Sequence, residues 1–135
     1  MRIFLDANAL FSAARSDGSV RQLLALLTKA DHECCVDGFV VEEARRNLAA
    51  KAPDGLAVLS AMLSRMRLTA AQAVDSDLEA KVPLPGKDRP VLAAAIRQGC
   101  SALITGDLAN FGPLYGKTIE GVTIYSPRMI AETLL

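Results

Sequence analysis

Tryptophan is absent from this 135-residue chain, histidine occurs once, and aromatic residues make up only 4% of it. Any core must therefore be built from leucine, valine, isoleucine and alanine, and the 51% hydrophobic content is too high for a disordered chain. Cysteine is scarce too. Of the three, Cys34 and Cys35 are adjacent and none forms a CxxC pair, so neither a disulfide framework nor a zinc knuckle is encoded. The expectation is reduced thiols packed as small apolar side chains in a reducing, cytoplasmic setting. A lone histidine, His32, reads as a surface residue rather than a base or ligand. No apolar run is long enough to span a bilayer, and a strand-like opening that carries Asp6 is no secretory leader. Net charge is absent as well, with fifteen basic residues against fifteen acidic ones. That removes any global electrostatic argument for nucleic-acid binding. Gathering four acids in one place would nevertheless leave the remainder net basic, so an anionic pocket with a cationic rim stays open.

What is present is organised around residues 87–107, KDRPVLAAAIRQGCSALITGD. Asp88 followed by Pro90 reads as a helix start, an N-cap carboxylate ahead of a first-turn proline. Val91, Leu92, Ala95 and Ile96 recur at helical spacing and Gly99 marks the stop. Residues 100–105 are short, apolar and partly β-branched, as in a buried strand. Gly106 then gives a turn that leaves Asp107 just past the strand end. A helix of about twelve residues rises roughly 18 Å, and a strand of about six spans roughly 20 Å. The two lengths nearly cancel, so Asp88 and Asp107 return to one edge of a sheet. That is the carboxyl edge, where open α/β sheets bind their ligands.

The remainder supplies matching pieces of a single domain, residues 1–135. Arg2–Leu5 reads as a first strand, followed by Asp6 and a short helical turn at residues 7–10. Ser19 is placed to cap a helix with Val20, Leu23, Leu24 and Leu27 on one face. Glu33 to Val36 reads as a second strand. The helix after it carries Glu42 and Glu43 in its first turns, with Ala44 and Leu48 toward the core. Those two glutamates point about 100° apart, so only one can face a site. Residues 56–66 read as an amphipathic helix with Leu59, Met62, Leu63 and Met66 on its stripe, and Arg67–Thr69 as a strand. Asp75, Asp77 and Glu79 imitate a metal loop, but lack its glycine and terminal bidentate glutamate, so a solvated face fits better. A proline-rich loop at residues 81–87 follows. The tail closes with a strand at Val122–Tyr125 and a helix begun by Ser126 and Pro127.

Asp6, one of Glu42 and Glu43, Asp88 and Asp107 thus fall on one edge by separate placements. Four carboxylates within a few ångströms cannot all ionise without a counter-charge. Mg²⁺ or Mn²⁺ suits such oxygen donors and would activate a water and steady a leaving oxygen in phosphodiester cleavage. A receiver-like signalling domain also clusters acids at a sheet edge, but it needs an acid pair after the first strand and a later lysine, both missing here.

The segments IFLDANALFSA, EEARRNL, KDRPVLAAAI, LITGDLANFG and GVTIYSP, in that order, resemble the PIN-domain ribonucleases, the fold of many toxins in bacterial toxin–antitoxin pairs. The resemblance reaches from the first strand to the last. It implies an α/β three-layer sandwich with a central parallel sheet of four or five strands. It also implies a divalent-metal site and an RNA substrate cut to leave 5′-phosphate and 3′-hydroxyl ends. Carried over, Asp6, Asp88 and Asp107 are the metal-binding acids. Glu43 is the fourth catalytic acid, with Glu42 as its alternative. Asn8 and Thr105 match supporting polar positions, and Asn110 stands where many relatives carry another acid or a histidine. Arg45, Arg46, Lys87, Arg89 and Lys117 are candidate phosphate contacts. A cognate antitoxin and a homodimer are the implied protein partners. An inactive PIN-like module that only binds RNA or a partner is the alternative, and magnesium-dependent cleavage separates the two.

Overall fold

The computed structural model describes residues 1–71 and 89–135. The chain opens with β1 (Arg2–Leu5), in which Ile3, Phe4 and Leu5 are wholly buried. A strand apolar at consecutive positions suits a sheet covered on both faces. Helices α1 (Ala7–Arg15) and α2 (Ser19–Lys29) lead to β2 (Glu33–Asp37), and α3 (Gly38–Lys51) and α4 (Gly55–Leu63) lead to β3 (Arg67–Thr69). Then come α5 (Arg89–Arg97), β4 (Ala102–Ile104), α6 (Leu108–Phe111), a 3₁₀ turn, β5 (Thr118–Ile119), β6 (Val122–Tyr125) and α7 (Pro127–Leu134). The strands lie in the order β3-β2-β1-β4-β6-β5, all neighbours parallel except the β5–β6 pair. Right-handed crossovers on the outward path β1-β2-β3 set their helices on one face of the sheet. On the first face α1 packs against α2, α3 and α4, while α5 meets β4 and β6.

The expected α/β sandwich is therefore present, with a sheet wider than the four or five strands anticipated. The extra strand is β5, two residues long and antiparallel. It forms through a tight hairpin whose central residues, Glu120 and Gly121, both have positive φ. Glutamate is a poor advertisement for such a turn, which is why the sequence hid it.

Other boundaries moved for physical reasons. Helix α1 continues to Arg15 because Ala9, Leu10, Ala13 and Ala14 carry a buried stripe past the first turn. Gly18, not Ser19, occupies the N-cap of α2, and no side chain caps it. Helix α4 stops at Leu63, so only Leu59 of the expected stripe is fully buried, and Met66 lies beyond the helix. Strand β4 is three residues rather than six, with Cys100 buried ahead of it. His32 is half-buried, its Nδ1 lying 3.1 Å from the N-terminal ammonium. All three thiols are free and buried. Burial, with Cys35 beside it, pushes the Cys34 thiol up to about 11. Ala44 and Leu48 face the core as anticipated. Asp75, Asp77, Glu79, the 81–87 loop and the N-cap assigned to Asp88 lie outside the described residues.

The α1–α4 contact is tight at Gly55. A Cβ there would meet Ala14 O and Leu48 Cδ2, both at 2.8 Å. The carbonyl belongs to another helix and cannot swing aside, so the backbones must part. Gly55→Ala is expected to destabilise the fold by about 1–3 kcal/mol despite alanine's better helix propensity. Urea unfolding checks this, and an unchanged or raised midpoint would refute it.

Candidate active site

The strand order reverses between β1 and β4. From β1 the chain winds outward to β2 and β3, and from β4 it winds the other way to β6. Such a switch point opens a crevice at the carboxyl ends of the two strands. Asp6 directly follows β1, and its N–H donates to Ile104 O at 3.0 Å, so the two strand ends are sewn together there.

Asp6 is only 6% exposed. A buried carboxylate must be surrounded by donors. Ala7 N donates to Oδ1 at 2.7 Å, and the Thr105 hydroxyl donates to Oδ2 at 2.8 Å. Asn8 Nδ2 approaches the same Oδ2 at 3.4 Å and Thr105 Oγ1 at 3.3 Å, while Asn8 Oδ1 accepts from Gly106 N at 2.8 Å. Thr105 Oγ1 also accepts from Asp107 N at 3.1 Å. One network thus ties the end of the first strand to the end of the fourth. Gly106 follows the strand end, as anticipated, without a positive φ, and contributes its N–H to this network.

Asp107 is half-buried and caps α6. Its Oδ1 accepts from Asn110 N at 3.2 Å and its Oδ2 from Asn110 Nδ2 at 2.9 Å. Asn110 therefore acts on the neighbouring carboxylate through its amide nitrogen. From α3, half-buried Glu43 faces the same space, whereas Glu42 is exposed and pairs with Arg45 at 3.7 Å. Asp6, Asn8, Glu43 and Asp107 share a cavity of about 150 Å³ with Ala7, Asn47 and Val91. Of the expected site residues, Asp88 and Lys87 lie outside the described residues; Asp88 precedes Val91 by three positions.

Among the described residues, no three His, Cys, Asp or Glu side chains stand close enough to hold one metal ion. The donors that line the cavity are nonetheless all oxygens and amides. Magnesium retains several waters and needs only one or two protein carboxylates, so a donor set of this kind fits a hard divalent cation. The candidate phosphate contacts are spread out. Arg46 is exposed about 60° around α3 from Glu43, while Arg45 points about 200° around it. Arg89 is exposed at the start of α5, and Lys117 is exposed beside the outer edge of the sheet.

Three residues of this edge escaped the sequence reading. Tyr115 donates its hydroxyl to Thr105 O at 2.8 Å, and burial together with the nearby Asp107 and Asp6 charges raises its pKa, keeping the phenol protonated. Its turn-rich surroundings carry no periodicity that could have revealed it. Asn47 lies one helical turn after Glu43, and that spacing was available as a signal. Asp37 ends β2 and caps α3, accepting from Val40 N at 3.1 Å. It faces a separate cleft of about 30 Å³ with Thr69, Arg97 and Gln98. A larger cavity, about 570 Å³, is an apolar groove between α2 and α4, lined by Leu24, Val58 and Met62 among others. Among the described residues no acid lines it, so it is not where the carboxylates meet. Among the described residues no helix is long and apolar enough to cross a membrane.

A doubly wound sheet with carboxylates from three elements at its switch point defines a class of α/β proteins that work at the sheet's carboxyl edge. Residues 2–109 match the PIN domain, and the chain belongs to that family. Its fold is similar to three solved structures. VapBC2 from Rickettsia felis, bound to a promoter DNA fragment, is 19% identical, with a TM-score of 0.66 over 93% of this chain and 98% of that one. DNA-bound VapBC from Salmonella typhimurium is 17% identical, with a TM-score of 0.65 over 94% and 98%. The sarcin–ricin-loop-cleaving toxin VapC20 of Mycobacterium tuberculosis is 16% identical, with a TM-score of 0.56 over 87% and 97%. No curated protein sequence matches the chain.

Asp37 gives this edge a pH dependence. Burial raises its pKa above the usual carboxylate range, opposed by the Val40 and Phe39 N–H groups and by Arg97. The folded protein therefore keeps a proton in a window where the unfolded chain has lost it. Stability from this group is full below the ordinary aspartate pKa and is lost as pH rises through the folded value. Asparagine caps as well as aspartate and cannot ionise. Asp37→Asn is expected to match or exceed the parent at neutral pH and to lack this part of the decline. Asp37→Ala is expected to lose about 1 kcal/mol at low pH and less than that at neutral pH, where the parent's own Asp37 contribution has declined. Denaturation at about pH 4 and pH 7 measures both; a parent whose Asp37-dependent stability rises with pH would contradict the sign.

Proposed function

We propose that this PIN domain is a divalent-metal-dependent endoribonuclease and the toxin of a toxin–antitoxin pair. The observation that carries the reading is the meeting of Asp6, Glu43 and Asp107, from three separate elements, in one cavity at the switch point. Asp6 and Asp107 would hold Mg²⁺ or Mn²⁺, and Asp88, the third metal-binding acid that the family resemblance implies, is proposed to join them. The chemistry such an ion supplies when bound is charge neutralisation and a lowered pKa for water.

The chain's own residues divide the remaining work. Thr105, Ala7 and Asn8 hold the Asp6 carboxylate in one orientation, and Asn110 does the same for Asp107. Tyr115 steadies Thr105 from behind. Glu43 makes no hydrogen bond or ion pair among the described residues, so it is placed to accept a proton from the attacking water. Arg46 and Arg89, with Arg45 and Lys117 further out, would steer the RNA backbone, and Lys87 is proposed to assist them. Attack on the phosphorus with departure of the 3′ oxygen leaves 5′-phosphate and 3′-hydroxyl ends.

The toxin assignment draws on solved VapBC and VapC proteins that align over nearly their whole length. From the same source we infer an antitoxin partner and an RNA target. A reducing cytoplasm completes the proposal and suits three unpaired thiols.

The purified protein is expected to cleave RNA in Mg²⁺ and not in EDTA. Asp6→Asn, Asp107→Asn and Glu43→Gln should each lower the rate by about 10²-fold or more, whereas Glu42→Gln should change it less than about twofold. Retention of cleavage by all three site variants would sink the nuclease reading. Equal losses from Glu42→Gln and Glu43→Gln would sink the assignment of Glu43.

A further inference from the structure

We infer that Asn47 is the side chain that hydrogen-bonds a non-bridging phosphate oxygen of the substrate; this assignment rests on the nuclease reading above. Asp6, Glu43 and Asp107, when ionised, can only accept hydrogen bonds. A phosphate oxygen is also an acceptor. A phosphodiester entering this cavity therefore requires donors, and among the described residues no basic side chain lines it. Its only side-chain donors there are the amides of Asn8 and Asn47.

Asn8 is already committed. Its Nδ2 serves Asp6 and Thr105, and its Oδ1 accepts from Gly106 N. Turning it toward a ligand would break its bonds to Asp6, Thr105 and Gly106. Asn47 differs in every respect. It is half-buried on α3, four residues after Glu43, and makes no side-chain hydrogen bond among the described residues. At that spacing the two side chains share a helix face about 40° apart. A leucine or valine would bury better at this half-covered position, and aspartate there would add a fourth negative charge among the described lining residues. A neutral amide contributes two N–H donors without raising the negative charge, which suits an anionic substrate in an anionic pocket.

The test compares the parent with Asn47→Leu, Asn47→Gln and Asn47→Asp. Steady-state cleavage of an RNA oligonucleotide in Mg²⁺ is measured alongside fluorescence anisotropy of a labelled RNA in Ca²⁺, a readout that needs no turnover. Asn47→Leu should raise KM and the anisotropy-derived Kd together by about tenfold, with kcat changed less than about threefold. Asn47→Asp should weaken binding further by charge repulsion, and Asn47→Gln should restore part of it. Unfolding midpoints confirm that each variant is folded. A folded Asn47→Leu with parental KM and Kd overturns the assignment while the nuclease reading stands. A parent that neither cleaves nor binds RNA overturns both.

Discussion

The hydrogen bond from the Thr105 hydroxyl to the Asp6 carboxylate is the contact on which the rest of this edge depends. Removing a carboxylate from water costs several kcal/mol unless donors replace the lost hydration. Asp6 is buried at the first turn of α1 and the end of β4, and both elements supply donors to it. Thr105 meets that demand and, with the same oxygen, receives the N–H of Asp107. Satisfying one buried charge therefore also sets where the next acid stands. Residues about a hundred positions apart in sequence are thereby locked at hydrogen-bond precision.

The amides and acids around the cavity sort into two populations. Asn8, Asn110, Thr105 and the Tyr115 phenol are consumed by internal bonds. Glu43 and Asn47, both on α3, are not consumed by partners among the described residues. One wall of the cavity is thus rigid and internally satisfied, and the opposite wall presents unspent hydrogen-bonding capacity. A site assembled for catalysis needs both, a fixed frame for positioning and groups whose bonds are completed only by the ligand. Helix α3 is itself anchored at its N-terminus by Asp37, so the open wall is still held at a defined angle.

Much of this could be read from residue order because strands and their following acids are local features. IFLD and LITGD each state a buried strand and the carboxylate at its end, and the sheet brings the two together by topology. The choice between Glu42 and Glu43 was also encoded, though less openly. Val40, Val41, Ala44 and Leu48 fix the core direction of α3, and Glu43 falls on its flank with Asn47, nearer to that direction than Glu42. Asp37 was missed because the strand was drawn one residue short, and its carboxylate then had no reason to be singled out. Tyr115 and β5 were missed for another reason. Both depend on a tail whose turns bring distant residues together, and no period of two or 3.6 marks such contacts.

The absence of net charge sharpens how this molecule can meet a polyanion. A strongly basic nuclease gathers RNA through its whole field, at the cost of weak discrimination. Here the net charge is zero and the cavity itself is locally negative, so the rest of the molecule carries only a small positive excess. Attraction must come from a few cations placed at its rim, and from whatever neutralises the carboxylates within. On the nuclease reading proposed above, binding then depends on geometry at the level of single side chains, because only a small positive excess is available to mask a poor fit. On the same proposal a neutral donor such as Asn47 is consequential: where the general electrostatic attraction is small, one well-placed hydrogen bond is a larger share of what holds a phosphate.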